Sequence, residues 1–375
     1  MSPWSYFKSA IVFQLVLFRH GERTGINSGT YPKDPHGNET YYPYGPGQVT
    51  KHLGRDTEFL WGELYHPDIL EAWSSNTDRT KVSLMLVLAG LFPPVADEIW
   101  DDQLIWQPIP FNQLARKEDK IFFSIASCPK YNIEYENYIQ TDNMIQIFEK
   151  HKKLFQLLSE ETGWNVTSFR QVFHLYIGLK VKEEWGLTLP EWTKQVYPQP
   201  IQYLAEQEYL ISTNTTNLRR IISGYLLKKI ITDSISKLNN PDSTNNKKLY
   251  LYSGHEFNLA ALLATLEIFN DPHVPPYGSY ITIEIHKING IDGVKESAQR
   301  AKIRKLYLCR LPCRLPHTRI FYQNYTSEEP HLLSLPECEE FCEFGKFVAL
   351  VEKYFPGNDT CETVKECNDN SILHK

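Results

Sequence analysis

Residues 11–18 (IVFQLVLF) make a continuous apolar run of strand length that stops at Arg19-His20-Gly21. Two further units repeat this form. Residues 71–75 are a short strand candidate leading into Asn76-Thr77-Asp78-Arg79, and residues 81–91 then read as a buried helix stopped by Pro93-Pro94. Residues 249–253 are a strand candidate leading to Gly254-His255-Glu256, and the helix read over 257–269 ends before Asn270-Asp271-Pro272. A fourth candidate, 279–286, sets Ile281, Ile283 and Ile285 against Tyr280, Thr282 and Glu284, the alternation of a strand with two unlike faces.

Between the second and third units the periodicity changes to helical. Met144, Ile147, Phe148, His151, Leu154, Phe155 and Leu158 fall on one stripe, with Gly163 shortly after. The pattern predicts an α/β protein: an open mixed sheet flanked by helices, formed by residues 1–107 and 247–375. Residues 108–246 form an inserted, mainly helical cap whose aromatics (Trp164, Tyr176, Trp185, Trp192) read as core and cleft lining. Residues 239–248 (NNPDSTNNKK) are a loop.

In an open α/β sheet, ligands bind beyond the carboxyl ends of the strands, where the following helices point their amino ends. Free N–H groups there favour phosphate. Three strand ends that each deliver a His or Arg are therefore expected to converge on one anion.

Composition narrows the classes. A chain of 375 residues, 42% hydrophobic and 22% charged, buries a full core. The net charge of −6 gives no electrostatic reason to expect nucleic acid or an anionic membrane as partner, so an anion must be held by a local cluster of positive charge. No apolar run reaches transmembrane length, and no membrane anchor is expected. Residues 11–18 run into Arg19-His20 without a small-residue cleavage site, so they read as a strand and no signal peptide is evident. Seven cysteines and sequons at Asn38, Asn165, Asn214, Asn324 and Asn358 point to a secreted, lysosomal or otherwise lumenal glycoprotein with disulfides.

Arg19-His20-Gly21-Glu22-Arg23-Thr24 is the sharpest chemical signal. Phosphoryl transfer needs an in-line nucleophile and positive charge around the equatorial oxygens. A neutral imidazole can attack phosphorus and split hydrolysis into two easier steps. Guanidiniums offer planar, permanent donors to phosphate oxygens and hold the pKa of a neighbouring histidine down.

On these residues the chain resembles the histidine acid phosphatases of the prostatic, lysosomal and insect venom type. Similarity continues through Tyr44-Gly45-Pro46-Gly47-Gln48-Val49-Thr50, residues 75–80, 106–110, 252–256 and 329–342, nearly the whole chain. The resemblance implies a phosphoglycerate mutase-like fold and a metal-independent acid phosphatase without cofactor, acting on small phosphomonoesters. It makes His20 the nucleophile, and Arg19, Arg23, Arg79 and His255 the substrate-binding groups. Many relatives have His-Asp where this chain has His255-Glu256. Glutamate offers the same carboxyl one methylene farther out, so Glu256 is expected as the acid that protonates the leaving oxygen. The resemblance also implies disulfides Cys128–Cys361 and Cys338–Cys342, and a homodimer whose contact region includes residues 106–112.

Several alternatives stay open. Cys309, Cys313 and Cys367 have no counterpart in the family. Residues 305–318 (KLYLCRLPCRLPHT) read as extra sequence interrupting an edge strand, whether as a real insertion or as an error in the gene model. Cys309-x3-Cys313 with Cys338-x3-Cys342 also has the spacing of a zinc site. A phytase or inositol polyphosphate phosphatase would use Lys150, Lys152, Lys153, Arg170, Lys180 and Lys182 to line a polyanion cleft. A catalytically weak secreted binding or venom protein of the same fold is the non-enzymatic alternative.

Overall fold

The computed structural model describes residues 8–24, 29–36, 65–239, 247–289, 316–327 and 329–362. Its centre is a mixed sheet of β1 (Lys8–Arg19), β2 (Leu70–Ser74), β3 (Leu249–Gly254), β4 (Tyr280–Asn289), β5 (Pro316–Gln323), β6 (His331–Leu333) and β7 (Cys342–Glu343). The order is β2-β3-β1-β4-β5-β6, with β7 also paired to β5. Strands β1, β2 and β3 run parallel, and β4 returns antiparallel beside β1.

Both faces of this sheet are covered, which explains why residues 11–18 read as an unbroken apolar run. Val16 and Phe18 pack with Leu70, Ala72, Leu249 and Leu251 against α1 (Asp78–Leu91) through Leu84, Val87, Leu88 and Leu91. Leu15 and Leu17 point the other way, to Tyr250, Tyr252, Ile281, Ile283 and Ile285.

That second face shares one core with α10 (Glu256–Thr265) and with the helices that precede β3 in the chain: α2 (Ser124–Ser127), α3 (Lys130–Ile139), α4 (Asp142–Lys150), α5 (Lys152–Thr162), α6 (Phe169–Glu184), α7 (Ile201–Ser212), α8 (Thr216–Ile222) and α9 (Gly224–Asn239). Among the described residues, 108–246 contains helices and no strand. Its apolar side chains, such as Leu175, Leu179, Leu204 and Tyr209, share one continuous core with the sheet.

Several boundaries differ from the sequence expectation. The stripe from Met144 to Leu158 is split between α4 and α5, which meet at His151 in a non-helical conformation. Each piece keeps its apolar side inward, so the periodicity survives the break. Gly163 ends α5 in the left-handed region at φ 78°, as a helix-terminating glycine does. Helix α1 begins at Asp78 rather than residue 81, so Arg79 lies in its first turn. Helix α10 begins at Glu256 and ends at Thr265, short of residue 269. Strand β5 starts at Pro316, so residues 316–318 belong to the sheet rather than to extra sequence, and β6 lies outside β5 at the edge.

Cys128 is joined to Cys361 across 233 positions, and Cys338 to Cys342. The second bond consumes the thiolates that a zinc site would need, which removes that reading. Residues 305–315, Cys309, Cys313 and Cys367 lie outside the described residues, as does Asn38. Asn165, Asn214 and Asn358 are exposed, and Asn324 is half-buried.

Candidate active site

The parallel register sets the ends of three strands level. Arg19 pairs with Gly254, and Ser74 with Ser253. Beyond those ends the backbone stays joined: the His20 N–H donates to the Gly254 carbonyl at 3.1 Å, and the Ser75 N–H to the Ser253 carbonyl at 3.1 Å. Arg19, His20, Arg79, His255 and Glu256 thereby meet at one place, as the sequence reading expects. Arg23 joins them from the loop after β1, buried to 2% exposure.

His20 is fully buried. Its Nδ1 lies 2.7 Å from the Gly21 carbonyl oxygen. A carbonyl only accepts, so Nδ1 carries the proton and the lone pair resides on Nε2. Nε2 has no hydrogen-bond partner among the described residues. Burial first, then the charges of Arg19 and Arg79, keep the imidazole well below its ordinary pKa. The result is a free base with its nucleophilic nitrogen pointing into a cationic site. The turn carrying it is fixed by Ser83 of α1, whose hydroxyl accepts from the Gly21 N–H at 2.9 Å and donates to the Arg79 carbonyl at 2.7 Å.

His255 is neutral for a related reason. Arg79 donates to its Nδ1 at 3.3 Å, so Nε2 bears the proton and donates to the Ser75 hydroxyl at 2.9 Å. Burial and the Arg79 charge bring its pKa down to about 3. Glu256 shows the opposite balance. Burial raises its pKa, but Arg19, His255 and Arg23 outweigh burial and hold the carboxyl at about 2. Its Oε2 stands 3.5 Å from the Arg19 Nε. The Arg19 guanidinium also donates to the Pro275 carbonyl and lies 4.0 Å over the Tyr277 ring. So many cations share the site that Arg79, desolvated and facing Arg23, is pulled down to about 10.

Residues 26–307 match the family model of the histidine phosphatase superfamily (branch 2). A venom acid phosphatase of Apis mellifera is 33% identical over 369 residues, covering 95% of this chain and 88% of the relative. The prostatic acid phosphatase of Rattus norvegicus is 26% identical over 376 residues, covering 96% and 91%. The protein belongs to the histidine phosphatase superfamily, branch 2. A solved phytase from Citrobacter braakii superposes with TM-score 0.59 at 15% identity, over 94% of this chain and all of that one, which shows the shared fold.

Within this histidine phosphatase, His20, His255 and Glu256 bring ligand atoms within 4.8 Å of one another and are the described residues that could hold a metal. A cation there would sit beside Arg19, Arg23 and Arg79, whose combined field favours an oxyanion instead. Sequence reading missed the supports: Ser75 behind His255, Ser83 beneath the His20 turn, Tyr277 against Arg19, and Phe123, whose ring centre is 5.5 Å from that of His255. Ser75 stands directly after a strand and was within reach of a motif search. Tyr277 and Phe123 carry no local signal.

The depressed histidines make acid stability a readout of the site. In an unfolded chain a histidine takes a proton near pH 6.5, whereas the folded site resists protonation of His20 and His255. The unfolded state therefore binds more protons, and stability falls as pH drops from about 6.5 towards 3. Glu256, held at about 2 instead of 4.5, adds a further loss below pH 4.5. Urea unfolding across this range should show a shallower decline for His255→Asn than for the wild type. Equal slopes would contradict the assignment. Inorganic phosphate should stabilise the wild type by mass action, because it binds only the folded cluster.

Proposed function

We propose that this protein is an acid phosphatase that hydrolyses phosphate monoesters through a covalent phosphohistidine on His20. The observation that carries the reading is the lone pair of His20 Nε2, without a hydrogen-bond partner among the described residues and in the field of Arg19, Arg79 and Arg23. The guanidiniums take the phosphate oxygens, and neutral His255 joins them by turning its Nε2–H from the Ser75 hydroxyl to the phosphate. Nε2 attacks phosphorus, the N–P bond forms, and the P–O bond to the leaving group breaks. The proton on Nδ1 stays with the Gly21 carbonyl.

Glu256 is the proton carrier. Its carboxyl is ionised in the free site, so the proton enters with the substrate. A monoester with a second pKa of about 6 is largely a monoanion in acid. That proton passes to Glu256 as phosphate charge fills the cluster, and then to the departing oxygen. Glu256 next takes a proton from water, whose oxygen attacks phosphorus and releases His20 and inorganic phosphate. The longer side chain of glutamate reaches the site, since its carboxyl lies within 4.8 Å of both imidazoles.

Turnover of p-nitrophenyl phosphate across pH, with EDTA present, tests the reading. Activity in acid that survives exhaustive chelation is expected. Inhibition by EDTA that zinc or magnesium reverses would overturn it, and no turnover of any phosphomonoester would favour the binding-protein alternative.

Four of the six basic residues named for a polyanion cleft are paired with carboxylates: Arg170 with Glu208, Lys182 with Asp34, Lys180 with Glu184 and Lys152 with Glu149. This favours simple monoesters over inositol polyphosphates. We place residues 108–246 as a helical cap over the site, and the protein in a secreted or lysosomal compartment, supported by its two disulfides and by the venom relative. Glycans at the sequons belong to the same reading. No described helix is long and apolar enough to cross a membrane. The exposed Trp100, Leu104 and Ile105, adjoining residues 106–112, support a homodimer through that edge, which sedimentation of the intact chain tests.

A further inference from the structure

Arg23 is one of the largest side chains buried almost completely among the described residues, yet it lies outside the named strands and helices. One guanidinium nitrogen donates to the neighbouring Thr24 carbonyl at 2.9 Å, and Nε has no hydrogen-bond partner among the described residues. Helix α6 contacts this stretch of chain from the side. The Trp185 indole N–H, at the carboxyl end of α6, donates to the Arg23 carbonyl at 3.2 Å.

Trp185 is one of three residues that α6 turns towards this segment. One turn earlier, Lys182 is buried to 3% exposure. Its ammonium lies 2.7 Å from the Asp34 carboxylate, donates to the Gly29 carbonyl at 3.3 Å, and stands 5.3 Å from the Tyr31 ring centre. One turn before that, Gly178 meets Gly29 backbone to backbone. A Cβ at Gly178 would fall 2.1 Å from the Gly29 oxygen, so only glycine permits the approach. Positions 178, 182 and 185 are spaced by four and three and lie on one face of the helix. That face touches Arg23 and then the chain from Gly29 to Asp34.

A buried Lys–Asp pair costs desolvation and is weak evidence for stability, but it fixes register, because only one arrangement satisfies both charges. We infer that Trp185 and Lys182 are positioning residues, which set the Arg23 guanidinium for phosphate from a helix that does not itself bind it. The inference rests on Arg23 being a phosphate ligand, as proposed above. Part of the phosphate affinity is then encoded in the segment inserted between β2 and β3.

A double-mutant cycle tests this. Trp185→Phe keeps the ring and removes the donor. It should raise KM for p-nitrophenyl phosphate and Kd for inorganic phosphate about fivefold, the effect of one lost hydrogen bond, with kcat much less changed. In an Arg23→Ala background the same substitution should change neither by more than about twofold, because its route to the phosphate is gone. Asp34→Asn, which leaves the Lys182 charge without its partner, should act in the same direction and be equally silent without Arg23. Three results would overturn the inference: equal losses in both backgrounds, a lower Tm with KM unchanged, or an Asp34→Asn protein whose phosphate affinity is that of the wild type. If Arg23→Ala itself leaves phosphate affinity intact, the assignment of Arg23 fails and the inference fails with it. If Arg23→Ala weakens phosphate and Trp185→Phe does not, the inference fails alone.

Discussion

His20→Ala should abolish phosphomonoester turnover, lowering kcat by about 10⁴-fold or more while the fold survives. The expectation follows from geometry. Among the described groups gathered at the strand ends, His20 Nε2 alone combines a lone pair with the lack of a described hydrogen-bond partner. His255 spends both ring nitrogens on Ser75 and Arg79, and Glu256 is paired with Arg19. No described neighbour is placed to take over the attack. Phosphate binding should outlast the loss, because the guanidiniums remain. Inorganic phosphate should still protect His20→Ala against urea. A variant retaining more than about a hundredth of wild-type kcat would remove His20 from the role of nucleophile.

The second large effect is at Glu256. Glu256→Gln keeps shape and removes the transferable proton. With an alkyl phosphate, whose leaving oxygen needs protonation, the rate should fall by about 10²- to 10⁴-fold. With p-nitrophenyl phosphate, which departs readily as its anion, formation of the phosphoenzyme should fall much less. Single-turnover measurement is the proper readout, because breakdown of the intermediate also uses this carboxyl. Glu256→Asp should recover much of the activity. A structural role predicts something else: equal losses on both substrates, together with a lower Tm from leaving Arg19 without its carboxylate partner. That outcome would take Glu256 out of the mechanism and leave His20 in it.

Legibility in the sequence followed the range of the interactions. Strands β1 and β3 could be read because each is a largely apolar run that ends in charged or polar residues, as burial on both faces demands. Strand β2, with Glu71 and Trp73 only half-buried, was legible from the Asn76-Thr77-Asp78-Arg79 stretch that follows it. The convergence of His20, Arg79 and His255 was legible for a related reason: parallel strands in adjacent positions must bring their carboxyl ends together. Glu256 could be named but its state could not. Its low pKa depends on Arg19, 237 positions away in the chain. The break at His151 was hidden because two helices that keep their apolar sides aligned preserve the periodicity of one. The contact of α6 with the chain after His20 was hidden most completely. Gly29 and Gly178 are ordinary glycines in sequence, and only their juxtaposition shows why neither tolerates a side chain. In sequence Lys182 is one of six basic residues that could line a polyanion cleft, whereas the fold buries it against Asp34.

The central claim is covalent. Mixing the intact protein with a radiolabelled phosphomonoester, quenching within milliseconds in alkali and mapping the label by peptide analysis tests it most directly, because phosphohistidine survives base. The account predicts label on His20 that rises before product accumulates, decays with turnover and is absent in His20→Ala. Label on a serine, aspartate or cysteine, or full turnover with no labelled peptide at any time, would contradict it.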